Sequence, residues 1–336
     1  MSVQTNLGGT RQASRKSSRA IRIGALVATP VMIMGLAACG GEEAGKGDSG
    51  KDGAKSLSGT IKIDGSSTVG PLTIAAGQLF KQENSGVNTT VAISGTGGGF
   101  EKFCAGETDI SNASRPIKDD EEAPLCEKAG VKYTELHIAN DALSVVVSKD
   151  NDWAECLTVE QLKKIWEPGS KAKTWKDVDA KFPAEPLKLF GPGTDSGTFE
   201  YFTEEINGEK NASREDYTAS EDDNVLVQGV SGTKGGLGYF GYTYFEENQD
   251  KLKVVKIDGG KGCVAPSAQA AQDGSYTPLA RPLFIYPSEK ALGRPEVKAF
   301  IDYFVKNNKS IAEKAKFIPL STEQESELTA AAAKLK

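Results

Sequence analysis

Three short segments of the chain combine glycines with hydroxyl side chains where a strand hands over to a helix. They are Asp64-Gly65-Ser66-Ser67-Thr68-Val69-Gly70-Pro71, Ser94-Gly95-Thr96-Gly97-Gly98-Gly99-Phe100 and Gly193-Thr194-Asp195-Ser196-Gly197-Thr198-Phe199. A helix N-terminus exposes unpaired N–H groups and the positive end of the helix dipole. Glycine lets a ligand come close to that backbone, and Ser or Thr adds a hydroxyl donor. One such turn can be a helix cap and nothing more. Three in one chain point to a tetrahedral oxyanion held from several sides.

The elements that must carry these turns follow from periodicity. Ile61–Asp64 reads as a strand, and Pro71 to Asn84 as a helix with Leu72, Ala75, Ala76, Leu79 and Phe80 on one face. Thr89–Ser94 is a second strand, Gly98–Ala105 a helix, and Thr108–Ala113 a strand ending in a loop. Val131–Val147 alternates and then turns continuously apolar, as buried strands do. Leu157–Trp166 reads as a helix, with Thr158 as N-cap and Gln161 three residues on. The rhythm repeats: strand Leu187–Phe190, helix Ser196–Ile206, helix Asn224–Val230, strand Gly235–Tyr242 with a helix through Asn248, strand Lys253–Ile257, strand Arg281–Tyr286 and helix Pro295–Asn307. Alternating strands and helices indicate an α/β sheet, with ligands expected at the carboxyl ends of strands.

The first 22 residues carry Arg11, Arg15, Lys16, Arg19 and Arg22 and no acid. An apolar run follows from Ile23 to Ala38, the length of a signal-peptide core and shorter than the roughly 20 residues of a membrane span. It ends Leu36-Ala37-Ala38-Cys39-Gly40, which is similar to the lipobox of bacterial lipoproteins. That likeness implies cleavage before Cys39 and acylation of its thiol. Residues 39–57, rich in Gly, Lys, Asp and Glu, have almost nothing to bury and read as a flexible tether, with order beginning near Leu57.

The formal charge is −6, and removing the five basic residues of the leader leaves −11. Such an acidic chain is not expected to bind nucleic acid, and an anion would have to be met by local donors. Besides Cys39 there are Cys104, Cys126, Cys156 and Cys263, an even number in an exported chain, which favours disulfides. Of three possible pairings, Cys104–Cys126 with Cys156–Cys263 is favoured, the first closing a short loop around Ser111–Pro116. No metal site is expected: there is no CxxC, and the single histidine, His137, reads as a half-buried strand residue.

With a lipobox, a tether and these turns, the chain resembles the phosphate-binding proteins of phosphate ABC importers, the PstS type. The runs GSSTVGP, SGTGGGFEKFCAGETDISNASRPI, GPGTDSGTFEYF and GGLGYFGY carry the likeness, which covers essentially the whole chain after the leader. It implies a two-lobed α/β fold of the periplasmic-binding-protein-like class (type II), with a ligand cleft between the lobes and two crossover strands near Asp141–Val147 and Arg281–Tyr286. The implied organisation is a lipoprotein signal peptide over 1–38, a tether over 39–57, lobe 1 from 58–142 plus 283–336, and lobe 2 from 143–282. The family's anion contacts fall on Thr68 and the backbone of Val69, with Ser67 adjacent. In the second turn they fall on Thr96, with Gly97 and Gly98 near. In the third they fall on Ser196, Gly197 and Thr198. Some members carry a carboxylate where this chain has Ser114, followed by Arg115. Some carry an arginine shortly before the third Ser-Gly-Thr, near Pro192 here. Arg115 is therefore expected to supply the guanidinium.

Hydrogen phosphate carries a proton and sulfate does not, so a buried carboxylate that accepts that proton repels sulfate. Asp195 is the first expectation for the acceptor and Asp64 the second; Asp also caps helices and forms turns. Other bland roles stand beside the functional ones. The glycine turns can be caps, Arg115 a surface ion-pair residue, and Tyr239 and Tyr242 core or cleft wall. A hydrolase is disfavoured, since a Ser-His-Asp arrangement would have to recruit His137, on a strand away from all three turns. The resemblance implies a cofactor-free, monomeric binding protein, lipid-anchored at the outer face of the cell membrane. Its partners would be inorganic phosphate and the transmembrane subunits of an ABC permease. Another oxyanion, such as sulfate or molybdate, or a sensor or adhesin role, are the alternatives.

Overall fold

The computed structural model describes residues 56–335; the leader, Cys39 and the tether up to residue 55 lie outside them. Leu57 packs against a hydrophobic core. Twelve strands are found among the described residues: β1 (Ser58–Gly65), β2 (Gly86–Ile93), β3 (Ile110–Ala113), β4 (Leu136–Ser148), β5 (Cys156–Thr158), β6 (Lys188–Gly191), β7 (Thr218–Ala219), β8 (Gly236–Gly241), β9 (Leu252–Val254), β10 (Lys256–Asp258), β11 (Cys263–Val264) and β12 (Ala280–Pro287). Nine form one mixed sheet in the order β2-β1-β3-β12-β4-β8-β6-β7, with β9 also pairing β4. β11, β10 and β5 form a small second sheet.

The outer strands pair in parallel, β1 with β2 and β3 at one side and β6 with β7 and β8 at the other. Parallel pairs need crossovers, and helices supply them. Between the two parallel groups run β4 and β12, antiparallel to each other and to their neighbours. β4 is 13 residues long and buried throughout except at His137. Its first half pairs with β12 and its second half with β8.

That arrangement serves two large cores. Leu136, Ile138 and Ala139 of β4 join Leu283 and Ile285 of β12 in one, with Ile61, Leu72, Phe80, Phe300 and Phe304. Leu143, Val145 and Val147 join the other, with Trp166, Trp175, Phe202 and Tyr239. Burying a side chain of this size contributes about 1.5–3 kcal/mol, so each core is a substantial source of stability. The strand passes from one core to the other at Asn140 and Asp141, both buried and polar, and Arg281 of β12 stands opposite Asp141 in register.

The predicted elements appear with shifts that have local causes. The first helix spans Gly70–Glu83 with Pro71 in its first turn, where a missing N–H costs nothing. The second begins at Gly95, whose φ of +78° suits glycine. Thr158 and Gln161 form the expected capping box, but Leu157 belongs to β5 and the helix starts at Val159. The helix predicted over Ser196–Ile206 runs Gly197–Phe202 and then widens into a π turn over Thr203–Asn207. The strand predicted over Lys253–Ile257 is split into β9 and β10. Val255 still follows the β4 register, donating to Val145 O at 2.8 Å, and Lys256 then turns to pair with Cys156 in the second sheet.

Both expected disulfides are formed, Cys104–Cys126 and Cys156–Cys263, with Cα–Cα distances of 4.3 and 6.0 Å. The first ties helix Gly95–Cys104 to helix Ala123–Ala129; the second ties β5 to β11. His137 is half-buried, with Nε2 at 2.9 Å from Ala139 O, and burial pushes its pKa down. Among the described residues no helix is long and apolar enough to cross a membrane.

Candidate functional site

The first turn is built on a glycine that nothing else could replace. Gly65 has φ +137°, and a Cβ there would lie 2.1 Å from Asn112 O. This sharp exit from β1 places Ser66, Ser67 and Thr68 just ahead of the Gly70–Glu83 helix. The second turn packs onto it: a Cβ on Gly99 would lie 2.5 Å from Gly65 Cα. The third turn arrives from the other half of the sheet. A Cβ on Gly197 would lie 2.9 Å from Thr68 Oγ1, 3.0 Å from Thr68 N and 3.1 Å from Ser67 Oγ. The three turns therefore converge, and the first is the common member.

Each turn holds its hydroxyls in a defined way. Thr96 Oγ1 lies 3.1 Å from Ser114 Oγ and accepts from Ser114 N at 3.2 Å. Ser196 caps the helix beginning at Gly197 by accepting from Thr198 N at 3.1 Å. Ser67 Oγ donates to Glu200 Oε2 at 2.7 Å, and Lys210 Nζ pairs with Glu200 Oε1 at 3.0 Å. Val69 is fully buried and its N–H points back toward Ser66 Oγ at a long 3.4 Å.

Beside the turns is a cavity of about 450 Å³ lined by Ser66, Thr96, Gly97, Ser114 and Arg115 from one side, and by Glu200, Tyr201 and Arg281 from the other. A larger cleft of about 700 Å³ lies elsewhere, around Phe103, Lys132 and Arg294. It contains none of the three turns, so the smaller cavity is the candidate site.

The charges are not distributed as the sequence suggests. Arg115 lines the cavity, but its guanidinium is bound by Glu122 in a two-pronged pair of 2.8 and 2.7 Å. That hydrogen-bonded pairing raises the Arg115 pKa, and its charge is already balanced. The guanidinium that donates to a turn hydroxyl is Arg281. Its Nη2 donates to Thr68 Oγ1 at 2.7 Å, its Nε donates to Asp141 Oδ2 at 3.3 Å, and its Cζ lies 3.5 Å from the Tyr201 ring centroid. Stacking and a carboxylate behind it hold such a group in one orientation. Asp141 is 6% exposed; burial pushes its pKa up, and the Arg281 charge works against that.

The two carboxylates expected to accept the phosphate proton are placed differently. Asp195 is exposed and does not line the cavity. Asp64 is buried but committed, accepting from Gly65 N at 2.7 Å, Ser94 Oγ at 2.8 Å and Lys102 Nζ at 2.5 Å. Burial opposes its ionisation, yet these donors hold its pKa below the usual value. Sequence reasoning passed over Arg281, Asp141 and Glu200. The available signal was an arginine and an aspartate inside two strands otherwise apolar enough to be buried. No group of His, Cys, Asp and Glu among the described residues could hold a metal ion.

Comparison with known proteins agrees with this architecture. Residues 50–308 match the model of a PBP superfamily domain. The chain is 47% identical over 308 residues to the phosphate-binding protein PstS of Staphylococcus saprophyticus, covering 87% of this chain and 89% of that one. It is 48% identical over 263 residues to the protein SphX of Synechococcus elongatus, covering 77% of each. A crystal structure of a possible phosphate binding protein from Planctomyces limnophilus superposes with a TM-score of 0.80 at 48% identity, covering 83% of this chain and 99% of that one. With that family model matched over most of the chain and a relative 47% identical over 87% of it, the chain belongs to the PstS family of the PBP superfamily.

Proposed function

We propose that this protein captures inorganic phosphate in the cleft between two lobes and hands it to an ABC permease. The observation that carries the reading is the meeting of Thr68 and Gly197, with the Arg281 guanidinium fixed on the same threonine. Backbone N–H groups of the converging turns, the hydroxyls of Thr68, Thr96, Ser114, Ser196 and Thr198, and one oriented guanidinium suit a small tetrahedral anion. The relatives named as phosphate-binding proteins support phosphate as that anion. We assign the guanidinium role to Arg281 and treat Arg115, balanced by Glu122, as part of the cavity wall.

The mechanism is binding without chemistry. The two lobes, 58–142 with 283–336 and 143–282, close on the anion by bending where β4 and β12 pass between the cores. Charge-assisted hydrogen bonds in a closed cleft then offset desolvation of the anion. We further propose that acylated Cys39 anchors the monomer at the outer face of the membrane. Intact mass of protein extracted from membranes should show a diacyl or triacyl addition there.

The decisive experiment is calorimetric titration of residues 57–336, stripped of bound anion, with phosphate and then with sulfate and molybdate. Tight one-to-one phosphate binding that excess sulfate does not displace is the expected result. Binding of another oxyanion alone would replace the substrate while keeping the cleft.

A further inference from the structure

Two neighbouring hydroxyls at the site are held with opposite polarity. Ser67 Oγ and Thr68 Oγ1 both border Gly197, at 3.1 and 2.9 Å from where its Cβ would be. Thr68 Oγ1 receives a hydrogen bond from Arg281 Nη2 at 2.7 Å. A guanidinium has donors only, so Thr68 must use a lone pair there and its own proton stays free to donate. Ser67 is the reverse. Its Oγ lies 2.7 Å from Glu200 Oε2, and the other oxygen of that carboxylate pairs with Lys210 Nζ at 3.0 Å. A salt-bridged carboxylate offers acceptors only, so the single Ser67 proton is committed to Glu200 and only its lone pairs are left for another partner.

We propose that Glu200 fixes Ser67 as a hydrogen-bond acceptor in the anion site, so that Ser67 selects an oxyanion carrying a proton and rejects one that does not. This rests on the phosphate reading and adds the basis of its selectivity. Asp195 and Asp64, the carboxylates with the strongest claim on sequence grounds, are exposed and already occupied, respectively. Ser67 takes over the accepting task, and the Glu200 charge behind it is balanced by Lys210. Hydrogen phosphate donates its P–OH to the Ser67 lone pair. Sulfate brings a lone pair to the same place, and two acceptors facing each other cost affinity. Glu200 acts through Ser67 and is a positioning residue. Lys210 holds it in place, with Nζ 3.3 Å from where a Cβ on Gly95 of the second turn would be.

The test is the ratio of sulfate to phosphate dissociation constants, measured by calorimetry at mildly alkaline pH, where both ions are dianions and a general change of charge affects them alike. Glu200→Ala frees the Ser67 proton to point into the site. It is expected to lower the ratio roughly tenfold to a hundredfold, the scale of one hydrogen bond to a charged group, with sulfate gaining and phosphate losing. Ser67→Ala should lower phosphate affinity about tenfold without weakening sulfate. Adding Glu200→Ala to Ser67→Ala should leave the ratio where Ser67→Ala put it. Equal losses for both ions in Glu200→Ala, or an undiminished effect of Glu200→Ala without Ser67, would overturn the proposal while the protein still binds phosphate. Absence of phosphate binding in the unaltered protein would overturn the phosphate reading itself, and this proposal with it.

Discussion

Arg281 Nη2 donates to Thr68 Oγ1 at 2.7 Å, and this contact joins a strand running between the two cores to the first glycine turn. The charge that reaches the candidate site is thereby anchored where the two halves of the sheet meet.

Replacing Arg281 should separate binding from stability. Arg281→Ala leaves Asp141 buried without its partner, which typically costs about 3–5 kcal/mol, and thermal unfolding should show it. Pairing Asp141→Asn with Arg281→Met should restore most of that stability. Phosphate affinity, read by calorimetry, should stay down by at least roughly tenfold, because the donor to Thr68 and the anion is still missing.

Gly197→Ala should impair binding and spare the fold. The added methyl would sit 2.9 Å from Thr68 Oγ1 and 3.0 Å from Thr68 N, so the third turn must retreat from the first. The turns belong to different halves of the sheet, and neither core is touched. The expected outcome is a loss of phosphate affinity of about tenfold or more with a melting temperature close to that of the parent, since the N–H groups no longer share one focus.

Two aspartates should respond to pH in opposite directions. The Asp64 pKa is lowered on folding, so its contribution to stability is present above the unfolded value of 3.8 and lost as pH falls through the folded one. Asp64→Asn should therefore destabilise at neutral pH, with the gap to the parent closing in acid. Burial, and then Asp222 and Glu221, push Asp223 up to about 6. Its stabilising contribution is present below 3.8 and lost as pH rises through about 6, so Asp223→Asn should stabilise the protein at neutral pH. The gain is about 1 kcal/mol after allowance for solvent at this half-buried site, and chemical denaturation at two pH values would measure it.

The two disulfides should differ in weight. Cys156–Cys263 spans 107 residues and Cys104–Cys126 only 22, so the longer closure removes more freedom from the unfolded chain. Replacing Cys156 and Cys263 by Ala should cost about 4–5 kcal/mol, and replacing Cys104 and Cys126 about 3 kcal/mol, on that entropic account. Denaturant titration of each double variant distinguishes the two.

What could be read from the sequence was local. Glycine at a helix start, Pro71 in a first turn and the Thr158–Gln161 capping box are decided within a few residues, and the helices stand where these signals put them. The exposure of Asp195 was not legible. Ser196 caps the helix, and the neighbouring aspartate is left on the solvent side of the turn. Arg281 was out of reach for a different reason. Its role follows from the register of β12 on β4, which sets it opposite Asp141, 140 residues away, and from Tyr201 on a helix in the other half. The π turn at Thr203–Asn207 and the passage from one sheet to the other after Val255 likewise answer to tertiary packing and not to residue preference.

The division of the strands between two cores also sets an order of assembly. The core around Trp166 and Tyr239 draws nearly all its residues from one unbroken stretch, Ala142 to Ala280, with Ile318 as a late addition. The core around Phe80 and Phe300 needs Ile61 to Ala139 and then Leu283 to Leu335, the two ends of the described chain. As the polypeptide emerges N-terminus first, the middle stretch can complete its own core while the opening stretch still waits for its closing partner. The candidate site, drawn from both, is then the last thing the chain makes.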